Sequence, residues 1–455
     1  MSPLKPQIAG LPKNLQYCDL SHTPVRARGT KLKAIKASEG AVITSLAGPA
    51  HAVLRNALDI SRRMVEGKPQ SFADAAARVA ANDPAVELVD GEPQFRLFVA
   101  GARGSGKTVF LASLHNLLSV PTKDNFFHAT LTSDASADYL SRNFDVIRDP
   151  KKTWPPGTPD TMEYVFRCLY SSTATKETFP LFRFHYMDFP GGALTQPGEH
   201  LSINIKETIS QAHTVAFLID GQKILDGLNG RTTEGFSVND DLDKISERAM
   251  GCIWKPTQFI VTKWDLLRGH SLSEIRRFLL LHRKFAAIVR KRRESKEPTY
   301  LIPVSAVGRD FAFYDRVKKV MRKRPNAVPE PYNLDITLAL AIADTLKKKI
   351  EAALYGQKLL GTGLLKAVVN AGEFANWLTK IGTMITGDPW MGVVMLILGG
   401  ASGRISSLAE ETDRRLSAIK DQKSALDNIA YLQHARVQEF LSEFPAADLL
   451  CRLEE

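Results

Sequence analysis

The sequence predicts an α/β fold in which a mixed sheet carries helices on both faces. Three observations predict it. Between residues 94 and 332, short apolar runs alternate with stretches of helical periodicity, the pattern of strands joined by crossover helices. A glycine-rich loop joins the first of these runs directly to a helix. Two β-rich runs separated by a short polar segment read as an antiparallel hairpin, which makes the sheet mixed. An amino-terminal extension, 1–93, and a helical carboxy-terminal region, 333–455, flank this domain. A chain of 455 residues, 44% apolar and 24% charged, is long enough to bury such a core, and the composition excludes a disordered or collagen-like chain.

The extension carries no catalytic motif. Its segment 49–66 places Ala52, Leu54, Ala57, Leu58, Ile60 and Met64 near helical spacing, and Gly91-Glu92-Pro93 reads as the turn that closes it. Phe95–Ala100 then reads as a buried strand and Thr108–Leu118 as a helix. Met162–Tyr170 and Leu181–Met187 are the hairpin strands around 171–177. Thr214–Ile219 and Gln258–Val261 are two more short strands, Leu272–Arg292 one helix, and Tyr300–Val304 the last strand. Beyond Pro331 the pattern turns helical, with Leu338, Ala341, Ile342, Leu346, Ile350 and Ala353 on one stripe. Gly361–Gly403 is apolar and glycine-rich, and Ser406–Leu449 is charged and helical again.

Charge is concentrated. The chain carries a net +11, and 268–324 alone holds 17 Lys or Arg against 5 Asp or Glu, or +12, which leaves −1 for the rest. Such a run reads first as a solvated helix face. As a binding surface it would meet an acidic partner or an anionic membrane surface. Aromatic residues do not interleave with it as base stacking needs, so nucleic acid is the weaker expectation. The four cysteines form no C-x-x-C pair, which excludes a zinc ribbon or a disulfide framework. The histidines show no metal-ligand spacing, and no run of about 18 apolar residues occurs. With Pro3 and Pro6 in a first decad that lacks an apolar run, the expected setting is cytoplasmic. Gly361–Gly403 reads first as a buried helical hairpin, with a peripheral membrane contact as the alternative.

The chemistry lies in four motifs. The first strand runs into Gly101-Ala102-Arg103-Gly104-Ser105-Gly106-Lys107-Thr108, a G-x-x-x-x-G-K-[ST] match between strand and helix. Backbone N–H groups of such a loop converge on phosphate oxygens, the helix N-terminus adds positive potential, Lys107 reaches the outer phosphates and Thr108 ligates Mg²⁺. Asp188-Phe189-Pro190-Gly191 ends the second hairpin strand in D-x-x-G. Its carboxylate suits a Mg²⁺-bound water, and the Gly191 N–H suits a γ-phosphate. Thr262-Lys263-Trp264-Asp265 is a [NT]-K-x-D match. The Asp265 carboxylate can accept from guanine N1 and N2, a pair adenine does not offer, while the Lys263 stem packs along the base. Ser305-Ala306 follows the last strand, where the Ala306 N–H can meet guanine O6. The four follow one another in the order of a guanine-nucleotide site.

On these residues the segment Phe95–Met321 resembles the TRAFAC class of P-loop GTPases. Trp154-Pro155-Pro156-Gly157-Thr158 and Asp188-x-Pro190-Gly191 are similar to the W-P-x-x-T and D-x-P-G motifs of bacterial stress-protein and double-GTPase groups, the latter linked to conflict systems. The resemblance implies a P-loop GTPase sheet, GTP or GDP with Mg²⁺, and a molecular switch. It makes Lys107, Thr158 and Gly191 catalytic, with Thr158 closing on Mg²⁺ beside Thr108 and Asp188, and Thr161 as the alternative. It also implies an effector or activating protein, and self-association is a further expectation. Two departures bear on rate. Gly192 stands where Ras-like proteins carry a water-orienting Gln, and Arg103 in the phosphate loop either assists in cis or points to solvent. Slow intrinsic hydrolysis follows, or a nucleotide-gated module with negligible hydrolysis.

Overall fold

The computed structural model describes residues 84, 86–121, 127–158, 160–172, 175–190, 199–231, 237–315, 317–318, 320–345, 348, 416–417 and 419–451. The helix expected over 49–66, the apolar stretch Gly361–Gly403, and Gly191 and Gly192 lie outside them.

The chain opens with a tight hairpin. β1 (Leu88–Val89) pairs antiparallel with β2 (Glu92–Gly101) through Asp90 and Gly91, at φ +55° and +76°. Two successive positive φ values give a turn whose twist matches the strands, which suits an Asp-Gly pair. The turn therefore falls on Asp90-Gly91, and Glu92-Pro93 already belong to the central strand.

α1 (Lys107–Leu118), β3 (His128–Leu131) and α2 (Asp134–Arg148) follow, then the hairpin strands β4 (Met162–Ser171) and β5 (Thr178–Asp188). Next come α3 (Glu199–Gln211), β6 (Thr214–Asp220), α4 (Gly221–Leu228), α5 (Val238–Gly251) and β7 (Thr257–Thr262). α6 (Leu272–Leu280), α7 (Arg283–Ser295) and β8 (Thr299–Pro303) complete the domain. The strands form one sheet in the order β3-β4-β5-β2-β6-β7-β8, with β1 on β2. The β3–β4 and β4–β5 pairs are antiparallel, and β5, β2, β6, β7 and β8 are parallel. β6 and β7 are buried along their whole length, as parallel strands covered on both faces must be. Aromatic residues fill the β2–β5 side of the core, where Phe98 meets Phe189 at 5.1 Å between ring centres.

The single helix expected over 272–292 is two. Ser271 and Glu274 form a capping box for α6, and the His282 imidazole caps α7 by accepting from the Phe285 N–H at 3.3 Å. The apolar stripe explains the break. From buried Leu279 to buried Phe285 a continuous helix would turn through about 240°, aiming the two away from one another. The kink leaves Leu281 exposed between them.

Part of the basic run faces inward. Arg292 is buried on α7 and donates to the carbonyls of Lys255 and Cys252 at 2.8 and 2.9 Å. Arg276 is buried on α6 and donates to the carbonyls of Ala446, Asp448 and Cys451, and Arg293 donates to those of Leu449 and Leu450. These contacts seat the segment that follows α8 (Gln422–Glu443) against the domain. There the Leu449 N–H donates to the Thr299 carbonyl at 2.9 Å, and Tyr300 and Asp448 form an antiparallel bridge beside β8. A further helical stretch, 336–345, is joined to α8 by an Arg436–Asp335 ion pair at 3.1 Å.

A second small hairpin, absent from the sequence expectations, lies after β8: β9 (Ala312–Asp315) pairs antiparallel with β10 (Val320–Lys323). No helix among the described residues is long and apolar enough to cross a membrane.

Candidate nucleotide-binding site

The parallel register lines up the strand ends. Val99 pairs with Asp188, Gly101 with Leu218, Asp220 with Thr262, and Val261 with Pro303. The phosphate loop, Asp188, Thr262–Asp265 and Ser305 therefore leave the same carboxyl edge of the sheet, where ligands of open α/β sheets bind.

The phosphate loop owes its shape to its glycines. Gly104 and Gly106 sit at φ +86° and +87°, which side chains disfavour. At Gly101 a Cβ would lie 2.5 Å from Ser105 Oγ and 2.9 Å from Leu218 Cβ. Gly106 caps α1, so the helix N-terminus opens onto the loop. Lys107 is buried and folds back, its Nζ donating to the Gly101 carbonyl at 2.8 Å. Arg103 is exposed.

Three residues from three segments meet beside this loop. The Thr158 hydroxyl donates to Asp188 Oδ2 at 2.7 Å and lies 3.2 Å from the Thr108 hydroxyl. All three are buried, and Asp188 Oδ1 has no hydrogen-bond partner among the described residues. Thr161 plays no part in this cluster.

At the base end, Asp265 is buried in a short 3₁₀ turn, Trp264–Leu266. Ser305 Oγ donates to Asp265 Oδ1 at 2.6 Å and accepts from the Gly308 N–H at 2.9 Å. Asp265 Oδ2 is buried without a partner among the described residues. Lys263, at φ +51°, reaches Asp220 Oδ2 at 2.7 Å. The Thr262 hydroxyl lies 2.8 Å from the Ser105 carbonyl, tying the base motif to the phosphate loop. Ala306 follows Ser305 and is half-buried.

Residues 97–299 match the family model Double-GTPase 2. The matched segment, and not the chain as a whole, is a P-loop GTPase domain of the double-GTPase type. Among solved structures it is similar to the signal recognition particle receptor SRb-GTP/SRX complex from Chaetomium thermophilum, at 13% identity and a TM-score of 0.30, over 47% of this chain and 91% of that one. It is also similar to translation elongation factor SelB from Methanococcus maripaludis in complex with the GTP analogue GppNHp. There the identity is 13% and the TM-score 0.23, over 47% of this chain and 30% of that one. No curated protein matches the chain.

The electrostatics of the site follow from burial. Loss of solvent raises the Asp188 carboxyl above its ordinary value, against the opposing pull of Lys107 and the Thr158 hydrogen bond. Burial likewise lowers Lys107, while Asp188 and Asp241 favour its charged form. Asp265 is raised by burial, partly offset by the Ser305 hydrogen bond. Each carboxylate is thus held in surroundings short of partners for its charge. Asp220, Lys223 and Asp241 are site neighbours that the motifs do not name; Lys223 reaches Asp241 at 2.8 Å. Asp220 had a signal: it ends the apolar run of β6 at the strand-end position that Asp188 holds on β5. Asp241 had none, because its approach to Lys107 depends on how α5 packs.

Proposed function

We propose that this chain is a GTP-hydrolysing molecular switch that works with Mg²⁺. The supporting observation is the convergence of Thr108, Thr158 and Asp188, with one carboxylate oxygen buried and unpartnered. Hydroxyl and carboxylate oxygens are the donors Mg²⁺ takes, together with water and substrate phosphates. The donor set therefore fits the ion, and Thr108, Thr158 and Asp188 would hold it. Bound there, Mg²⁺ would neutralise charge on the terminal phosphates.

The chain's own groups supply the rest. The loop N–H groups and the α1 terminus bind the phosphates, and Lys107 exchanges the Gly101 carbonyl for a phosphate oxygen. Asp265 accepts from guanine through its unpartnered Oδ2, Lys263 lines the base, and Ala306 meets its O6. Thr158 senses the γ-phosphate, and its segment is released on hydrolysis. Gly191 offers its N–H to the same phosphate.

Exposed Arg103 and the side-chain-free Gly192 favour slow turnover, completed by an effector or activating protein or by a second copy of the chain. A group supplied in trans is worth about 10³- to 10⁵-fold in such systems. The outward part of the 268–324 surface suits an acidic partner or an anionic membrane surface, and the setting we favour is cytoplasmic, with peripheral membrane contact through Gly361–Gly403 as the variant. Calorimetry with GTP, GDP and ATP, with Mg²⁺ and with chelator, tests the assignment; equal affinity for ATP and GTP would overturn it. Gly192 also favours a second reading, a nucleotide-gated binding module. Single-turnover assays separate the two: no phosphate release with any partner leaves the module.

A further inference from the structure

The Trp154 of the W-P-x-x-T motif touches neither Thr108 nor Asp188, and the mechanism above gives it no task. Its surroundings do. The indole Nε1–H donates to the Met321 carbonyl of β10 at 2.8 Å. Its ring meets Phe311 edge-on at 6.2 Å, and the Lys323 ammonium lies 5.1 Å from the ring centre. Lys323 also donates to the carbonyls of Val146, Asp149 at 2.9 Å and Thr153 at 3.4 Å. The end of α2 and the segment that carries Thr158 are thus held by one small hairpin, at the Val146, Asp149 and Thr153 carbonyls and at the Trp154 side chain.

That hairpin grows out of the guanine-reading loop. Asp265 is bonded to Ser305, Ser305 to Gly308, and Val307 and Phe311 share a small core with Ala112 and Ile147, onto which Trp154 and Met321 pack. Ala112 belongs to α1, the helix that starts at the phosphate loop. The contacts lead from the carboxylate that would read the base to Trp154, four residues before the threonine beside the phosphates.

We infer that Trp154 is a positioning residue: with Lys323 it latches the switch segment to the β9–β10 hairpin and so holds Thr158 near Thr108 and Asp188. The consequence for nucleotide choice rests on the switch proposed above, because it is Thr158 that would distinguish a γ-phosphate. The latch itself does not, since its contacts lie outside the phosphate loop and the base motif.

The test uses the full chain with Trp154→Phe, which keeps a ring but loses the N–H, and Lys323→Met, which keeps the stem but loses the ammonium. Hydrogen exchange over 149–158 is compared in the nucleotide-free proteins. Affinities for GDP and GppNHp are then measured with Mg²⁺. Loss of the Trp154 hydrogen bond is expected to speed exchange in 149–158 by roughly five- to tenfold, and loss of the Lys323 cation–π contact with its carbonyl bonds by at least as much, with the sheet core unchanged. GppNHp affinity should fall by a similar factor and GDP affinity by less than about twofold. Unchanged exchange in both variants overturns the latch, as does faster exchange spread evenly through the domain, which would make Trp154 a core residue only. Equal weakening of GDP and GppNHp removes its role in positioning Thr158. If the unmutated chain fails to bind GppNHp, the switch assignment fails, and the exchange comparison alone decides the latch.

Discussion

At the scale of single residues, the site is a set of buried carboxylates waiting for partners. Asp265 is the clearest case, with one oxygen taken by Ser305 and the other bare. Asp265→Asn replaces an acceptor with a donor toward guanine and should weaken GDP by roughly 10- to 100-fold, as loss of a charged hydrogen bond costs about 1.5–3 kcal/mol. Recovered binding of xanthosine diphosphate, measured by calorimetry, would mark the loss as one of base reading rather than folding. The same carboxyl predicts a pH dependence. Its value is raised in the nucleotide-free protein, so that form loses stability as pH rises from the ordinary Asp range through the raised value. Guanine donors favour the ionised form and pull the value down. Binding therefore releases a proton in that window, and GDP affinity should climb with pH across it and flatten above. Calorimetry in two buffers of different ionisation heat detects the proton, and Asp265→Asn should abolish it. Lys107→Ala should remove nucleotide binding while moving the apo melting temperature little, because its buried hydrogen bond is to a loop carbonyl.

At the scale of elements, the legible parts were those whose chemistry is local. β2 and α1 announce themselves through the loop between them, and β4, β5, β6, β7 and β8 through apolar runs. The residues of the four motifs come together because parallel register is a property of the whole sheet, which fixed spacings already imply. What could not be read was set by packing. β3 has four residues, too few for a periodic signal. The phase slip between Leu279 and Phe285 looked like continuous helix because Leu280 and Leu281 mask the gap. The β9–β10 hairpin hid inside a basic run, since Lys323 turns inward and its purpose is visible only where three carbonyls converge on it. Gly308 makes the element-scale prediction. It sits at φ +84°, and a Cβ there would lie 2.2 Å from the Glu330 carbonyl oxygen. Gly308→Ala should cost about 1–3 kcal/mol of backbone strain. By moving the N–H that orients Ser305 it should also weaken guanine nucleotides more than chemical denaturation alone accounts for, as read by paired melting and binding curves.

At the scale of the whole molecule, residues beyond the nucleotide motifs are built into the domain that carries them. Arg276 anchors them with three carbonyl contacts from a buried guanidinium. Arg276→Met keeps the stem and leaves those carbonyls unanswered, so a loss of roughly 2–4 kcal/mol is expected. Hydrogen exchange should show 445–451 opening before the sheet core; simultaneous opening would mean the segment is no separate unit. The same contact decides how the sheet meets other chains. An open strand at the rim of a sheet offers a ladder of free amides and carbonyls to any passing extended peptide, and so invites both strand-adding ligands and aggregation. Here the bridge from Asp448 to Tyr300 and the bond from Leu449 to Thr299 occupy the β8 rim with the protein's own backbone. The opposite rim is the four-residue β3, too short to template a long partner. Whatever binds this sheet domain is thereby turned away from its rims and toward its loops and helices, where the proposed nucleotide site lies.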